Sequence, residues 1–174
     1  MIATPHLLTG AVLGKALRRP WLAWPAALAS HFLLDAVPHL DSVGLFPGTP
    51  GHVTAPAAGI AAADTVVGIA LVLWLTRGDP QRRVMLGAAL AGLLPDALFN
   101  VPPWGAWLAA WPGTHWLEVL HGLSSQGVAA ADWPVGVSTQ VTVTALALWG
   151  LVAARREGRA GAAPRPKAAE GGTW

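Results

Sequence analysis

Three stretches of the chain carry side chains whose types and spacing could do chemistry. In residues 30–42, SHFLLDAVPHLDS, His31, Asp35 and His39 recur at every fourth position, which holds them within an arc of about 80° on one helix face, and Asp41 follows just beyond Pro38. In residues 114–122, THWLEVLHG, His115, Glu118 and His121 are spaced by three. Two imidazoles therefore flank a carboxylate across an arc of about 120° on a helix that Thr114 can cap. In residues 91–99, AGLLPDALF, Pro95 interrupts helical hydrogen bonding and frees a backbone carbonyl beside Asp96. His6, directly after Thr4 and Pro5, and Asp64, the only charge in a long apolar stretch, complete the set.

Imidazole nitrogen and carboxylate oxygen, in a chain with no cysteine, are the donors that a hard or borderline divalent cation takes. The groups are enough for two ions. Zinc, manganese and iron all fit these donors, and the residues alone do not choose among them. A bound water with its pKa lowered toward about 7 would be the nucleophile, with Glu118 or Asp64 as general base. Each residue also has a plainer role open to it. His31 and Asp35 could be a hydrogen-bonded pair that fixes helix packing, and Pro95-Asp96 a simple helix break. His52 reads as a turn residue, Asp132 as an N-cap and the tryptophans as interfacial anchors.

The elements that must position these groups are strongly apolar. Of 174 residues, 53% are hydrophobic and only 11% charged, and the mean hydropathy is +0.48. A soluble domain carries about 25% charged residues, so the composition excludes a disordered polyelectrolyte and points to a membrane protein. Residues 54–76 and 134–154 are each long enough to cross a hydrocarbon layer of about 30 Å, and residues 21–37 and 84–101 can cross with little tilt. Residues 5–17 reach only about 20 Å as a helix, which predicts a half-span. Residues 102–133 hold five of the ten tryptophans and read as an interfacial segment. The expected architecture is therefore an all-α polytopic membrane bundle of four full spans plus an N-terminal half-span and a Trp-rich interfacial helical segment. It forms one domain over residues 1–154, followed by a disordered basic tail over 155–174.

Charge orients this chain. All eleven Lys and Arg fall after the first apolar run (Lys15, Arg18, Arg19), between the third and fourth (Arg77, Arg82, Arg83) or in the tail, and threading puts all three groups on one side. By the positive-inside rule that side is cytoplasmic, with the C-terminus inside. The opposite side receives the candidate ligands and no Lys or Arg. A phosphate group there would have to be held by metal alone, and nucleic-acid binding is unsupported.

The block His31-Phe-Leu-Leu-Asp35-Ala-Val-Pro38-His39-Leu-Asp41, with Thr4-Pro5-His6, Gly10, Gly14-Lys15, Leu94-Pro95-Asp96, His115 and His121, resembles a group of small bacterial membrane-bound proteins. These are described as metal-dependent hydrolases, YdjM-like or zinc-dependent phospholipase C-like. The resemblance spans roughly residues 4–122. It implies a multi-span helical protein in which His6, His31, Asp35, His39, Asp41, Asp96, His115 and His121 ligate metal. The first functional expectation is thus a membrane-embedded hydrolase acting on a lipid or other interfacial substrate. The alternative is a non-catalytic membrane protein, a small transporter or a metal or proton pathway, with Asp64 and Asp96 as relay groups. The charge map makes its own prediction for a chain with no natural cysteine. Single replacements Ser42→Cys, Pro80→Cys and Ala160→Cys in intact cells should label with an impermeant maleimide at position 42 alone.

Overall fold

A computed structural model of the chain describes residues 1–47, 53–100, 104–128 and 132–161. Among these the regular structure is helical: α1 (Ala3–Leu17), α2 (Pro20–Asp35), α3 (Ser42–Leu45), α4 (Ala55–Leu75), α5 (Arg82–Phe99), α6 (Trp104–Ala110), α7 (His115–Ser124) and α8 (Trp133–Gly161). The all-α expectation holds. Among the described residues, α4 and α8 are the helices long and apolar enough to cross a membrane by length and composition.

The short first helix is the axis of the bundle. α1 packs against α2, α4, α5 and α8, and nine of its 15 residues are buried. Small residues explain how so many helices approach it. A Cβ added at Gly10 would lie 2.5 Å from the Ala88 carbonyl oxygen, and one at Gly14 would lie 2.5 Å from the Met85 Cα. At Gly92 an added Cβ would stand 2.9 Å from the His6 carbonyl oxygen. α1 and α5 thus touch backbone to backbone, antiparallel, over two helical turns, as helices do where small residues recur every fourth position. α2 presents a comparable stripe: Ala23, Ala27, His31 and Asp35 are its buried residues, one per turn.

The contacting faces share a design. On α1 the line is His6, Gly10, Gly14; on α2 it is Asp35, His31, Ala27, Ala23; on α5 it is Asp96, Gly92, Ala88. Small residues bring the three helices together, and ligand-type residues occupy the same end of each line. Basic residues collect at the other end, where the Lys15 ammonium donates to the Asp79 carboxylate at 2.6 Å and the Arg155 guanidinium lies 5.7 Å from the Trp74 ring centre.

One boundary differs from the sequence expectation. α8 continues to Gly161, seven residues past the expected boundary at Ala154, because Ala, Arg and Glu in that stretch are strong helix formers. The expected helical segment over residues 102–133 carries, among its described residues, α6 and α7 ahead of α8, with Trp107, Trp111, Trp116 and Trp133 exposed. The loop position His52 and the tail beyond Gly161 lie outside the described residues.

The glycine crossing generates the first structural test. Gly10→Val should destabilise the protein by about 3 kcal/mol or more, since backbone rather than a movable side chain blocks the new methyls. Gly59→Ala, where an added Cβ meets nothing within 4 Å, should leave thermal unfolding in detergent unchanged or slightly raised.

Candidate functional site

The three lines end around one carboxylate. Asp35, the last residue of α2, is 1% exposed, and imidazoles from four segments point their Nε2 atoms at it. His6 from α1 is 3.2 Å from Oδ1, and His39 from the following loop is 4.0 Å from the same oxygen. His31, one turn earlier on α2, is 3.2 Å from Oδ2, and His121 from α7 is 3.6 Å from it. Asp96 of α5 closes the arrangement, its Oδ1 lying 3.4 Å from His121 Nε2 and 3.9 Å from His31 Nε2. The Met1 amino group also lies 2.5 Å from Asp35 Oδ1.

These separations have the size of a coordination sphere. His31, Asp35, Asp96 and His121 each offer a ligand atom, all within 4.8 Å of one another. With metal–ligand bonds near 2.1 Å, a tetrahedral site places its donors about 3.4 Å apart. The four measured edges, 3.2, 3.6, 3.4 and 3.9 Å, bracket that value. The group could therefore hold a metal ion.

Hydrogen bonding on the far side of the rings fixes which nitrogen faces the centre. His31 Nδ1 lies 2.9 Å from the Gly92 carbonyl oxygen, and His39 Nδ1 lies 2.9 Å from that of Val37. A carbonyl only accepts, so each Nδ1 carries the hydrogen and, in the neutral ring, each Nε2 carries a lone pair. Those lone pairs point at a carboxylate that can only accept. Correspondingly, the Nε2 atoms of His6, His31 and His39 are buried with no hydrogen-bond partner. Acceptor facing acceptor in a dry site is costly unless a proton or a cation lies between them.

Electrostatics outside the helical bundle follow from the same geometry. Hydrogen bonding to Asp35 and then to Asp96 pushes the His121 pKa up to about 9, while burial opposes the rise. His39 moves the other way: desolvation lowers its pKa, and the Met1 ammonium adds to the effect.

Backbone contacts hold the outer loop in place. Gln126 N–H donates to the Asp35 carbonyl, His39 N–H to the Gln126 carbonyl and Val128 N–H to the His39 carbonyl, at 2.8, 3.2 and 2.8 Å. From α8, the buried Gln140 amide donates to the Leu40 carbonyl. Gln140 went unnoticed in the sequence reading, although a lone amide in an uncharged apolar run is a visible signal. Residues 126–128 carry no comparable signal, because they act through main-chain groups.

Six of the eight expected ligands, His6, His31, Asp35, His39, Asp96 and His121, are brought together. Two are not. Asp41 instead caps α3, its side chain accepting from Gly44 N–H at 2.5 Å. His115 opens α7 and, six residues from His121, stands about 9 Å from it along the helix axis, so it is not in the group around Asp35. Asp64, expected as a general base, lies at the head of α1, where its carboxylate accepts from Thr4 N–H at 2.8 Å. A negative charge at that helix N-terminus anchors the turn that carries His6. The Glu118 side chain lies outside the described residues. Comparison with family models, with curated proteins and with solved structures finds no match for this chain.

Charge on His121 sets a pH signature for metal-free protein. A histidine with a raised folded pKa contributes stability that is complete below its unfolded pKa of about 6.5 and is lost as pH rises toward 9. The unfolding temperature of chelator-treated protein in detergent should fall by roughly 3–10 °C between pH 6.5 and 9.5. His121→Gln should flatten that slope, and an unchanged slope in the variant would refute the assignment.

Proposed function

We propose that the protein is a membrane-embedded, metal-dependent hydrolase whose site opens near the non-cytoplasmic face. One observation carries this reading: four imidazoles and two carboxylates from five separate segments converge at ligand spacing, with the Nε2 lone pairs of neutral His31 and His39 directed at Asp35. A structural hydrogen-bond network would have matched donors to acceptors. At His31 and His39 this one sets acceptors against a carboxylate, the arrangement that a cation resolves.

Support for the membrane comes from the inverted distribution of side-chain size. Alanine and glycine fill the helix crossings, while Trp21, Leu33, Val66, Trp74, Leu90, Leu146 and Trp149 stand more than half exposed. Only 17% and 22% of the most apolar windows of α4 and α8 are buried. Water would not tolerate so much continuous apolar surface, whereas lipid does. We read α2 and α5 as two further spans, since both expose large apolar side chains and run antiparallel to α1. The bundle then has four spans around a central short helix. Its Lys and Arg side is cytoplasmic, the C-terminus lies inside and the cluster faces outward.

At such a site a divalent ion, zinc foremost by the sequence resemblance, would supply Lewis acidity and lower the pKa of a bound water toward neutrality. The chain contributes the rest. Gly92 and Val37 carbonyls hold His31 and His39 in the ligating tautomer, Asp64 anchors the turn bearing His6, and α7 delivers His121. Glu118, one turn before His121 on α7, is the candidate general base. Asp96 and His121, 19% and 15% exposed at their side chains, mark the open side, whereas the other ligands are sealed. That opening lies beside the tryptophan-rich α6 and α7, which suits a lipid or other interfacial ester. The sequence resemblance to membrane-bound metal-dependent hydrolases points the same way.

Metal analysis of purified full-length protein tests this reading. Wild-type protein desalted after exposure to zinc should retain at least one equivalent, and His121→Ala should bind at least tenfold more weakly. Affinity should rise with pH between 6 and 9, because the His121 proton must leave before the nitrogen can ligate. Folded wild-type protein that retains no zinc, manganese or iron would refute the proposal.

A further inference from the structure

We propose that the end of the bundle remote from Asp35 binds the phosphate of an anionic phospholipid, at a site centred on Trp74 with Arg77 and Arg155. The inference rests on reading the chain as membrane-embedded and stands apart from any metal at the cluster.

Tertiary packing gathers the arginines onto one surface. α1 and α4 run parallel, since Thr4 meets Asp64 and Lys15 meets Asp79. α5 runs antiparallel to α1, with Gly10 beside Ala88 and Gly14 beside Met85. α8 descends alongside, its Gly136 near Leu40, its Gly150 near Val12 and its Arg155 against Trp74. The C-terminal ends of α1, α4 and α8 and the N-terminal ends of α2 and α5 therefore share one end of the bundle. Each brings arginine to it: Arg18 and Arg19 between α1 and α2, Arg77 after α4, Arg82 at the start of α5 and Arg155 on α8.

This charge has no counterpart in the protein. Among the described side chains the one carboxylate at this end is Asp79, and both of its oxygens are occupied. Oδ2 accepts from the Lys15 ammonium at 2.6 Å and Oδ1 from Gln81 N–H at 2.8 Å. Among the described residues no arginine forms a salt bridge. Like charges crowded on one surface repel one another, and an anion seated among them relieves that repulsion.

Trp74 marks where such an anion meets lipid. Its side chain is 57% exposed, and Val66, Ile69 and Leu73 continue exposed apolar surface along α4. The Arg155 guanidinium lies 5.7 Å from the indole ring centre, so it is held at the seam of α4 and α8. Arg77 follows in the next turn, its N–H donating to the Trp74 carbonyl at 3.3 Å, and its side chain is exposed. The 21 residues of α4 span about 31 Å, which sets this group at the edge of the hydrocarbon, level with the phosphates. Guanidinium groups match phosphate oxygens in fork geometry, and basic pockets between helices on this side of a membrane suit anionic headgroups. A nucleic acid would bring no acyl chain to cover Trp74 and Leu73.

Lipid capture by the full-length protein tests the site. Protein equilibrated in mixed micelles holding equal amounts of dioleoyl phosphatidylglycerol and dioleoyl phosphatidylcholine, then captured and washed, should retain the anionic lipid in about fivefold excess or more. Arg77→Gln combined with Arg155→Gln should lower that excess by about fivefold or more. Should the double variant fail to fold, Arg77→Gln alone, at an exposed position, should lower it by about twofold or more. Equal retention of the two lipids overturns the anionic site and leaves the membrane reading standing. An excess that persists undiminished in the variants overturns its location. Displacement of the lipid by an equal concentration of inorganic phosphate or of an oligonucleotide assigns the arginines to a soluble anion and overturns the lipid site. Extraction of the protein from cell membranes by alkaline carbonate instead refutes the membrane reading, and the proposal with it.

Discussion

A carboxylate cannot be buried alone, and the burial of Asp35 organises this molecule. At 1% exposure it has lost its water, and the groups that surround it come from α1, α2, α5, α7 and the loop after α2. Each must arrive with its polar edge directed inward. The hydrogen-bonded tautomers of His31 and His39, the anchoring of α1 through Asp64 and the docking of residues 126–128 all act on how those edges are aimed. The result is a buried cluster that, among the described residues, is most exposed at Asp96 and His121. Its spacing and donor chemistry are those of a group that could hold a cation.

Precision at that centre depends on close helix approach elsewhere. The glycines of α1 meet the Met85–Gly92 segment of α5 with no side chain between them, so the two backbones are locked in register. One turn beyond this crossing, the same lines carry His6 and Asp96. Placing small residues inside and large apolar ones outside also suits a lipid surround, where packing rather than water exclusion holds helices together. Scaffold and site are thus consecutive parts of the same three stripes.

Much of this was legible in the residues. The fourth-residue spacing of His31, Asp35 and His39, the His121 stretch and the Pro95-Asp96 break pointed to a His and Asp cluster, and six of the eight expected ligands meet there. Asp41 and His115 fell outside because local roles and helix rise, which spacing does not reveal, place them elsewhere. Asp64 looked like an intramembrane functional group, yet its carboxylate meets a helix N-terminus sixty residues away in sequence. The apparent weakness of the first run, too short to span, concealed its position: a helix surrounded by others need not reach both faces.

By itself the sequence determined the helical class, the segregation of basic from ligating residues and the donor types available. These follow from composition and from periods of three and four residues, which are local properties. Only the tertiary structure decided that the ligating stripes of three helices converge on Asp35. It also decided that its two oxygens face separate pairs of imidazoles, and that Gln140 and residues 126–128 hold the loop. Those outcomes depend on which helix faces touch and in what register, and contacts between distant segments leave no periodic trace in either one.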